Sequence, residues 1–242
     1  MSYNSFAAVY DAFTEDVEYE KRAAYIKKLL AKNGCEGGIL LDLACGTGTL
    51  SKYLAGYGYD MILADMSPDM LSIAAERLPD ALIICQDMRR LRLYSTVNAV
   101  VCSLDGINHL TKPDDVKKTF SAVSKHLQKG GVFVFDVNTP YKHENVLGNN
   151  TFVYETDDAY LVWQNFYKSK SKAVDMCLDI FFLEGDSYVR ECEEFSERAY
   201  EIEEICQWLS EAGFSVSGVY DDMKFTKPKN NSQRVYISAV KL

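Results

Sequence analysis

The fold of this chain is decided by residues 40–50, which read Leu40-Leu41-Asp42-Leu43-Ala44-Cys45-Gly46-Thr47-Gly48-Thr49-Leu50. The apolar start of this stretch predicts a buried strand, the small residues in its middle predict a tight turn, and its last residues predict the start of a helix. Gly46 and Gly48 can adopt a positive φ and let the backbone come close to a ligand. Amide groups at the start of the following helix can hold a negative group or a ribose. The stretch therefore predicts a ligand-binding loop between a strand and a helix.

Short apolar runs alternate with helical stretches up to about residue 137. The five apolar runs, which we interpret as strands, cover residues 39–44, 61–64, 82–85, 97–103 and 132–137. The helical stretches lie near residues 17–33, 47–57, 68–78 and 113–128. Continuously apolar strands that are separated by helices indicate a parallel sheet covered on both faces. We expect Gly130 and Gly131 to end the helix before the fifth strand.

The pattern changes after Asn138. From Val174 to Phe182 every second residue is apolar, which is typical of a strand with one buried face. Antiparallel strands are predicted at residues 151–156, 159–168, 173–184 and 187–198. A helix near 201–212 and two strands near 214–222 and 233–241 then return to the first pattern. We therefore predict one α/β domain, formed by residues 1–138 and 201–242, with a small antiparallel β insert at residues 139–200.

Dinucleotide-binding domains share this strand, loop and helix with domains that bind S-adenosylmethionine, so the glycines alone do not separate the two classes. Here the spacing is A-x-G-x-G, and Ser51 stands where the dinucleotide fingerprint needs a third glycine. Asp42, inside the first strand, suits a cationic amino acid headgroup and would repel a pyrophosphate. Asp65, at the end of the second strand, can bond both ribose hydroxyls in either class. The details favour S-adenosylmethionine.

Residues 40–50 resemble motif I of the class I S-adenosylmethionine-dependent methyltransferases, with Ala44 where that motif more often has glycine. The resemblance covers essentially the whole chain. It implies a Rossmann-like fold with a seven-stranded, mostly parallel sheet in the order 3-2-1-4-5-7-6, in which strand seven is antiparallel. It also implies S-adenosylmethionine as cofactor and S-adenosylhomocysteine as product. Residues 6–11 resemble the FAxxYD signature of a bacterial subgroup whose tyrosine covers the cofactor, and the β insert resembles that subgroup as well.

The resemblance implies roles for individual residues. Asp65 and Met66 match the ribose-binding end of strand two, where the methionine packs against adenine. Asp87 matches a residue that accepts a hydrogen bond from the adenine amino group, while the amide of Met88 meets the ring. Residues 102–105 end strand four beside the methionine part of the cofactor. The cofactor-binding residues expected from the resemblance are Tyr10, Asp42, Ala44, Cys45, Gly46, Gly48, Asp65, Met66, Asp87, Met88, Cys102 and Leu104.

Methyl transfer from a sulfonium disperses charge, so an enzyme gains most by holding donor and acceptor in contact and by excluding water. An amine or hydroxyl acceptor must also lose a proton, for which a general base is useful. His109, Asp105 and tyrosines of the insert are the candidates. Two structural roles stay open for the first two of these residues: Asp105 can cap the turn before His109, and His109 can be a hydrogen-bonded wall residue.

The expected function is methyl transfer to the nitrogen or oxygen of a small molecule, with the β insert as a cap over the cleft. The net charge is −9, and residues 139–200 carry most of the acidic excess. This charge disfavours a nucleic acid partner and suits a neutral or cationic acceptor. An RNA methyltransferase is disfavoured further because residues 103–106, Ser-Leu-Asp-Gly, replace the Asn/Asp-Pro-Pro-Tyr motif. A non-catalytic S-adenosylmethionine-binding module and an NAD(P)-dependent oxidoreductase stay open as functions.

The remaining expectations concern location and assembly. We find no apolar run near the roughly 18 residues of a membrane span and no signal-peptide pattern at the first residues. The seven scattered cysteines suggest free thiols in a reducing compartment, so we expect a cytoplasmic protein. Three histidines without ligand spacing predict no metal. The sequence is compatible with a monomer or a dimer, since exposed β edges invite pairing.

Overall fold

The computed structural model describes residues 10–157 and 159–242. The start of the FAxxYD signature, residues 6–9, lies outside the described residues. The strands, in chain order, are β1 (Gly38–Leu43), β2 (Tyr59–Asp65), β3 (Leu82–Cys85), β4 (Val97–Cys102), β5 (Leu127–Asn138), β6 (Thr151–Glu155), β7 (Ala159–Lys168), β8 (Ala173–Glu184), β9 (Ser187–Arg198), β10 (Phe214–Asp221) and β11 (Arg234–Lys241). The α-helices are α1 (Tyr19–Lys32), α2 (Thr49–Ala55), α3 (Pro68–Arg77), α4 (Pro113–His126) and α5 (Ile202–Glu211). Short 3-10 helices cover Ala12–Val17 and Met88–Arg90, and a π-helix covers Lys142–Leu147.

Seven strands form one twisted sheet in the order β3-β2-β1-β4-β5-β11-β10. Strands β1 to β5 are parallel, and β11 is antiparallel to both of its neighbours. Strands β6–β9 belong to another sheet, so β10 and β11 are the sixth and seventh strands of this one. Numbered in this way, the sheet has the order 3-2-1-4-5-7-6, as predicted. Parallel strands end at the same edge of a sheet, so the loops after β1, β2, β3 and β4 meet at one edge.

Helices cover both faces of the larger sheet. Apolar side chains of α1, α2 and α3 pack on one face, and those of α4 and α5 pack on the other. Strand β1 contributes to both layers, because successive side chains of a strand point to opposite faces. Leu41 and Leu43 therefore lie in the α4–α5 layer, while Leu40 lies in the α1–α3 layer. The alternation also turns Asp42 towards α2.

The end of α4 differs from the prediction. Gly130 and Gly131 do not end this helix, because α4 ends at His126 and β5 begins at Leu127. Leu127 is fully buried in the α4–α5 layer and has an extended backbone, with φ −86° and ψ 139°, since it pairs with Val97 of β4. The register then shifts before the pairing resumes at Val132, and Gly130 lies in this irregularity with φ 76°. Tertiary burial of Leu127 thus overrides the local glycine signal.

Strands β6 to β9 form a separate antiparallel sheet, and their bounds agree with the predicted strands to within one residue. We call this sheet the β insert. Its inner face carries the buried side chains Val174, Met176, Leu178 and Ile180. Phe13, from the segment before α1, packs against the same face. In the described residues, no helix is both long and apolar enough to span a bilayer.

Candidate active site

The loop after β1 has a left-handed backbone conformation at three of its residues. Ala44, Gly46 and Gly48 all have positive φ, at 61°, 54° and 73°. A Cβ at Gly48 would lie 3.1 Å from Ala74 Cβ, so glycine is needed there for packing as well as for conformation. A Cβ at Gly46 would meet no atom within 4 Å, because this residue faces open space. The loop therefore presents its backbone to the cleft, as cofactor binding requires.

Asp65, at the end of β2, stabilises this loop. Its Oδ2 accepts a hydrogen bond from the Gly46 amide at 2.9 Å, and its Oδ1 accepts one from the Ser67 amide at 2.9 Å. Each carboxylate oxygen can accept a second hydrogen bond. Asp65 is only partly buried, so its carboxylate is oriented by the backbone and still reachable for a pair of hydroxyls.

Asp42 lies inside β1, on the side of the strand that faces α2. Its side chain is 2% exposed and accepts a hydrogen bond from Ser51 Oγ on α2. Burial raises the pKa of the Asp42 carboxyl to about 7. This hydrogen bond joins β1 to α2, and the contact of Asp42 with a cofactor headgroup stays a prediction.

The segment before α1 is fastened to the same loop through Asp11. Its Oδ1 accepts hydrogen bonds from Thr47 Oγ1 at 2.8 Å and Thr49 Oγ1 at 2.9 Å, and its Oδ2 pairs with Arg77 at 2.6 Å. Although burial opposes ionisation, these hydrogen bonds hold the pKa of Asp11 below its ordinary value. Asp11 is the last residue of the FAxxYD pattern, and its role was not predicted from the sequence, whereas Tyr10 was named as a cofactor residue.

Tyr10 is the first described residue of this segment and is partly buried. Burial, together with the nearby Tyr19 and Asp105, raises the pKa of its hydroxyl. The charge of the predicted catalytic residue Asp105 therefore reaches the predicted cofactor residue Tyr10.

The loop after β3 carries a second carboxylate. Asp87 caps the 3-10 helix by accepting from the Arg89 amide at 2.9 Å, and it also binds the Arg89 guanidinium. These hydrogen bonds hold the pKa of Asp87 below its ordinary value. Met88 packs partly into the core, while Met66 is 69% exposed. An exposed methionine at this edge offers an apolar surface to a ring.

Two of the residues predicted to bind the cofactor are cysteines, and the structure buries both of them fully or partly. Cys102 is fully buried in the α4–α5 layer, and a Cβ at Gly106 would lie 2.7 Å from its sulfur. Cys45 is partly buried, and burial raises the pKa of its thiol. Cys102 is the last residue of β4, and Cys45 lies in the loop after β1, so both are at the edge where these strands end.

The turn after β4 is strained and held by a buried acid. Leu104 and Asp105 both have positive φ, at 58° and 59°, which is costly for residues with a Cβ. Asp136 on β5 compensates by accepting from Ser103 Oγ at 2.6 Å, from the Leu104 amide at 2.8 Å and from the Asp105 amide at 3.2 Å. Asp136 was not predicted from the sequence, although a lone acid in the apolar stretch 132–137 was a usable signal.

Arg234, the first residue of β11, is the shared cation of the buried Asp136 and the partly buried Asp105. It pairs with Asp105 at 3.0 Å and with Asp136. Burial opposes the ionisation of Asp105, but the charges of Arg234 and Lys142 hold the pKa of this carboxyl well below its ordinary value. Asn138 extends the network by donating to Asp105 Oδ2 at 2.9 Å.

A further carboxylate, Glu197 at the end of β9, joins the β insert to this network. It is 3% exposed, and it accepts from Asn138 Nδ2 at 3.1 Å. Its two oxygens lie 3.7 Å from His109 Nε2 and 3.4 Å from His143 Nε2. The His109 ring is 5.3 Å from the ring of Phe195 on the insert. His109 was predicted as a candidate base, whereas Glu197 gave no local signal in the sequence.

The predicted site residues in the loops after β1, β2, β3 and β4 therefore lie at one edge of the larger sheet, and Asp42 is buried inside β1. Comparison with known proteins agrees with this geometry. Residues 40–131 match the family model described as a methyltransferase domain. Over 245 residues the chain is 33% identical to "Putative methyltransferase YqeM" of Bacillus subtilis (strain 168), covering 100% of this chain and 98% of that one.

A solved structure and a further relative extend this result. The chain is similar to the crystal structure of an S-adenosylmethionine-dependent methyltransferase from Clostridium acetobutylicum, with a TM-score of 0.89, 34% identity and coverage of 99% and 98% of the two chains. It is 34% identical over 132 residues to a dTDP-3-amino-3,4,6-trideoxy-alpha-D-glucopyranose N,N-dimethyltransferase of Streptomyces venezuelae, covering 54% of this chain and 56% of that one.

The chain belongs to the class I S-adenosylmethionine-dependent methyltransferases. It is an enzyme of this class, and its cofactor is S-adenosylmethionine.

Proposed function

We propose that this enzyme methylates a nitrogen atom of a small-molecule amine, with the β insert as a cap over the acceptor. The observation that carries this proposal is the buried carboxylate of Glu197. In the described part of the chain, Glu197 has ion-pair contacts only with His109 and His143, and none with a lysine or arginine. The charge of Lys142 also acts on Glu197, but the ammonium of Lys142 donates its hydrogen bond to Asn138 Oδ1 at 2.9 Å. A buried acid whose ion-pair partners are histidines favours a proton or a cationic group nearby.

We assign the cofactor to the edge formed by the loops after β1, β2 and β3. Gly46 and Gly48 present backbone to it, and Asp65 accepts from its ribose hydroxyls. Asp87 and Met88 meet its adenine, by analogy with the family. The open space at Gly46 and the oriented carboxylate of Asp65 fit a nucleoside at this position. S-adenosylmethionine supplies an electrophilic methyl group on a sulfonium there.

The chain's own residues then orient the acceptor and take its proton. An amine is mostly protonated near neutral pH, so an acidic pocket attracts it, but it reacts only after losing that proton. We assign the proton acceptor to His109, which is at the surface of the cleft with its side chain 47% exposed. The Glu197 carboxylate, 3.7 Å from His109 Nε2, stabilises the imidazolium that forms.

The β insert and the relatives support an amine acceptor. Phe195 and Trp163 lie on the inner face of the insert, and the Phe195 ring is beside His109. Aromatic faces beside a carboxylate suit an ammonium group and exclude water from it. The similarity to an amino-sugar N,N-dimethyltransferase points to the same acceptor chemistry, although the acceptor of this enzyme need not be a sugar.

Nucleic acid is not the acceptor in this proposal, and the cytoplasm is the location that we infer from the thiol content. In the short basic stretch at residues 89–92, Arg89 pairs with Asp87 and Asp115. The excess negative charge of the chain would oppose a polyanion.

The proposal predicts that amines are methylated and that matched hydroxyl compounds are not. With S-adenosylmethionine present, we expect S-adenosylhomocysteine and an N-methylated product from a panel of primary amines that includes amino sugars and small amino acids. We expect no turnover of matched compounds in which a hydroxyl replaces the amine. Mass spectrometry of both products measures this. Turnover confined to hydroxyl or RNA substrates would overturn the assignment of an amine.

A second prediction tests the pairing of His109 with Glu197. H109Q is expected to lower kcat by about 100-fold, the lower range for loss of a general base, with less change in the acceptor KM. E197Q is expected to lower kcat by a smaller factor, and the double variant is expected to match H109Q, because Glu197 acts through the histidine. The control is E184Q, an exposed glutamate of the same insert. Additive losses in the double variant would show that the two residues act separately.

A further inference from the structure

Two cysteines of the β insert meet on its outer face, away from the methyltransferase site. In the register of β8 and β9, Cys177 lies opposite Glu194, and Asp179 lies opposite Cys192. Because every second residue of a strand points to the same face, Cys177, Cys192 and Glu194 all point outward. The sulfur atoms of the two cysteines are 3.7 Å apart, and they do not form a disulfide.

This separation matches the geometry of a bound metal ion. Two thiolates at about 2.3 Å from a tetrahedral zinc ion lie about 3.8 Å from each other. The two sulfur atoms and a Glu194 carboxylate oxygen all lie within 4.8 Å of one another. The three donor atoms can therefore reach one ion with only small side-chain movements.

We propose that Cys177, Cys192 and Glu194 form a binding site for a thiophilic divalent cation, with Zn²⁺ as the best fit. Thiolate and carboxylate donors suit this ion, and three protein ligands leave a fourth position open. On binding, the two thiol protons leave to solvent and two metal–sulfur bonds form, so no oxidant is needed.

The surroundings of the three ligands are compatible with a filled site. No lysine or arginine in the described ranges forms an ion pair with Glu194, whereas neighbouring Asp179 is already paired with Arg190 at 2.6 Å. Cys177 and Glu194 also line a surface cavity of about 490 Å³, which gives water or a small ligand access to the open position. A bound ion would tie β8 to β9 across their outer face.

The test uses the full chain, purified under reducing conditions and freed of metal. Zn²⁺ is titrated in competition with a chromophoric chelator, and Cd²⁺ is added separately to detect thiolate-to-metal absorption in the ultraviolet. We expect one ion per chain and a thiolate band. C177S and C192S are expected to abolish the band, and E194Q is expected to weaken Zn²⁺ binding about 10-fold, in the range known for lost metal-site contacts.

The matched control is C206S, which removes a partly buried thiol of α5 and should leave the stoichiometry and the band unchanged. Melting temperatures of the metal-free variants show whether each one is folded, and the wild-type Cd²⁺ band provides an answer that depends on no variant. No band in the wild type, or Zn²⁺ binding that survives C177S unchanged, would overturn the proposal. So would a Cys177–Cys192 disulfide that forms in air while the reduced chain binds no metal.

Discussion

Replacing Asp65 by alanine is expected to weaken S-adenosylmethionine binding by about 100-fold or more. The change removes a charged acceptor for two ribose hydroxyls, and each hydrogen bond to a charged group contributes roughly 1.5–3 kcal/mol. It also frees the amides of Gly46 and Ser67, which Asp65 now orients at 2.9 Å each. Isothermal titration calorimetry with S-adenosylmethionine and with S-adenosylhomocysteine measures the effect, and both affinities should fall together because both ligands carry the ribose.

The matched control for this change is D60A. Asp60 is an exposed aspartate of the same strand, β2, and it lies at the strand's other end. D60A should bind S-adenosylmethionine with wild-type affinity. Because D65A also disturbs the glycine loop, D65N serves as a milder variant that keeps one oxygen acceptor. Unchanged affinity in folded D65A and D65N would remove the basis for placing the ribose at β2.

Replacing Arg234 by methionine is expected to lower the free energy of unfolding by about 3–5 kcal/mol, the usual cost of breaking a buried ion pair. Arg234 is the shared partner of Asp105 and Asp136, and methionine would leave the fully buried Asp136 and the partly buried Asp105 without this cation. The Asp136 carboxylate also holds the strained turn at Leu104 and Asp105. Urea unfolding followed by circular dichroism measures the change.

The pH dependence of this loss follows from Asp105. In the wild type, the pKa of Asp105 is held well below its ordinary value, so the pairing stabilises the fold above the unfolded pKa near 3.9 and is lost as the pH falls further. Without Arg234, burial dominates and protonation of Asp105 relieves the unpaired charge. The difference between wild type and R234M should therefore be largest near pH 7 and smaller near pH 4.

R190M provides the control for the arginine change. Arg190 also pairs with an aspartate, Asp179, but on the exposed outer face of the β insert. Exposed ion pairs contribute little, so R190M should unfold at nearly the wild-type urea concentration. Equal effects of R190M and R234M would mean that burial of the Arg234 pairs does not matter.

Local patterns in the chain were sufficient to predict most of the architecture. The glycine loop, the apolar strands and the alternation in β8 each depend on neighbours within a few residues, where periodicity is informative. The end of α4 was predicted wrongly for the same reason. Gly130 is a good local stop signal, but the burial of Leu127 and its pairing with Val97 of β4 depend on residues far along the chain.

In the candidate site, too, some residues were predicted from local motifs and others were found only in the structure. The loop glycines, Asp65 and Asp87 belong to short motifs, and their positions at the ends of strands followed from the parallel sheet. Roles for individual residues in that site stay predictions until ligand binding is measured. The hydrogen bond between Ser51 on α2 and the Asp42 carboxylate was not part of the motif and became visible only in the structure.

Residues 40–50 and the strand periodicities were enough to predict an α/β fold with a ligand-binding loop and the position of the β insert, because those features arise from interactions between near neighbours. The cofactor and the strand order followed from the resemblance of these residues to a known family. The polar network beside the cleft was not accessible in this way. Arg234 meets Asp105 across 129 positions, and Asn138 meets Glu197 across 59. Such contacts exist only once β4, β5, β9 and β11 have assembled, since no local pattern records which distant charge will compensate a buried one.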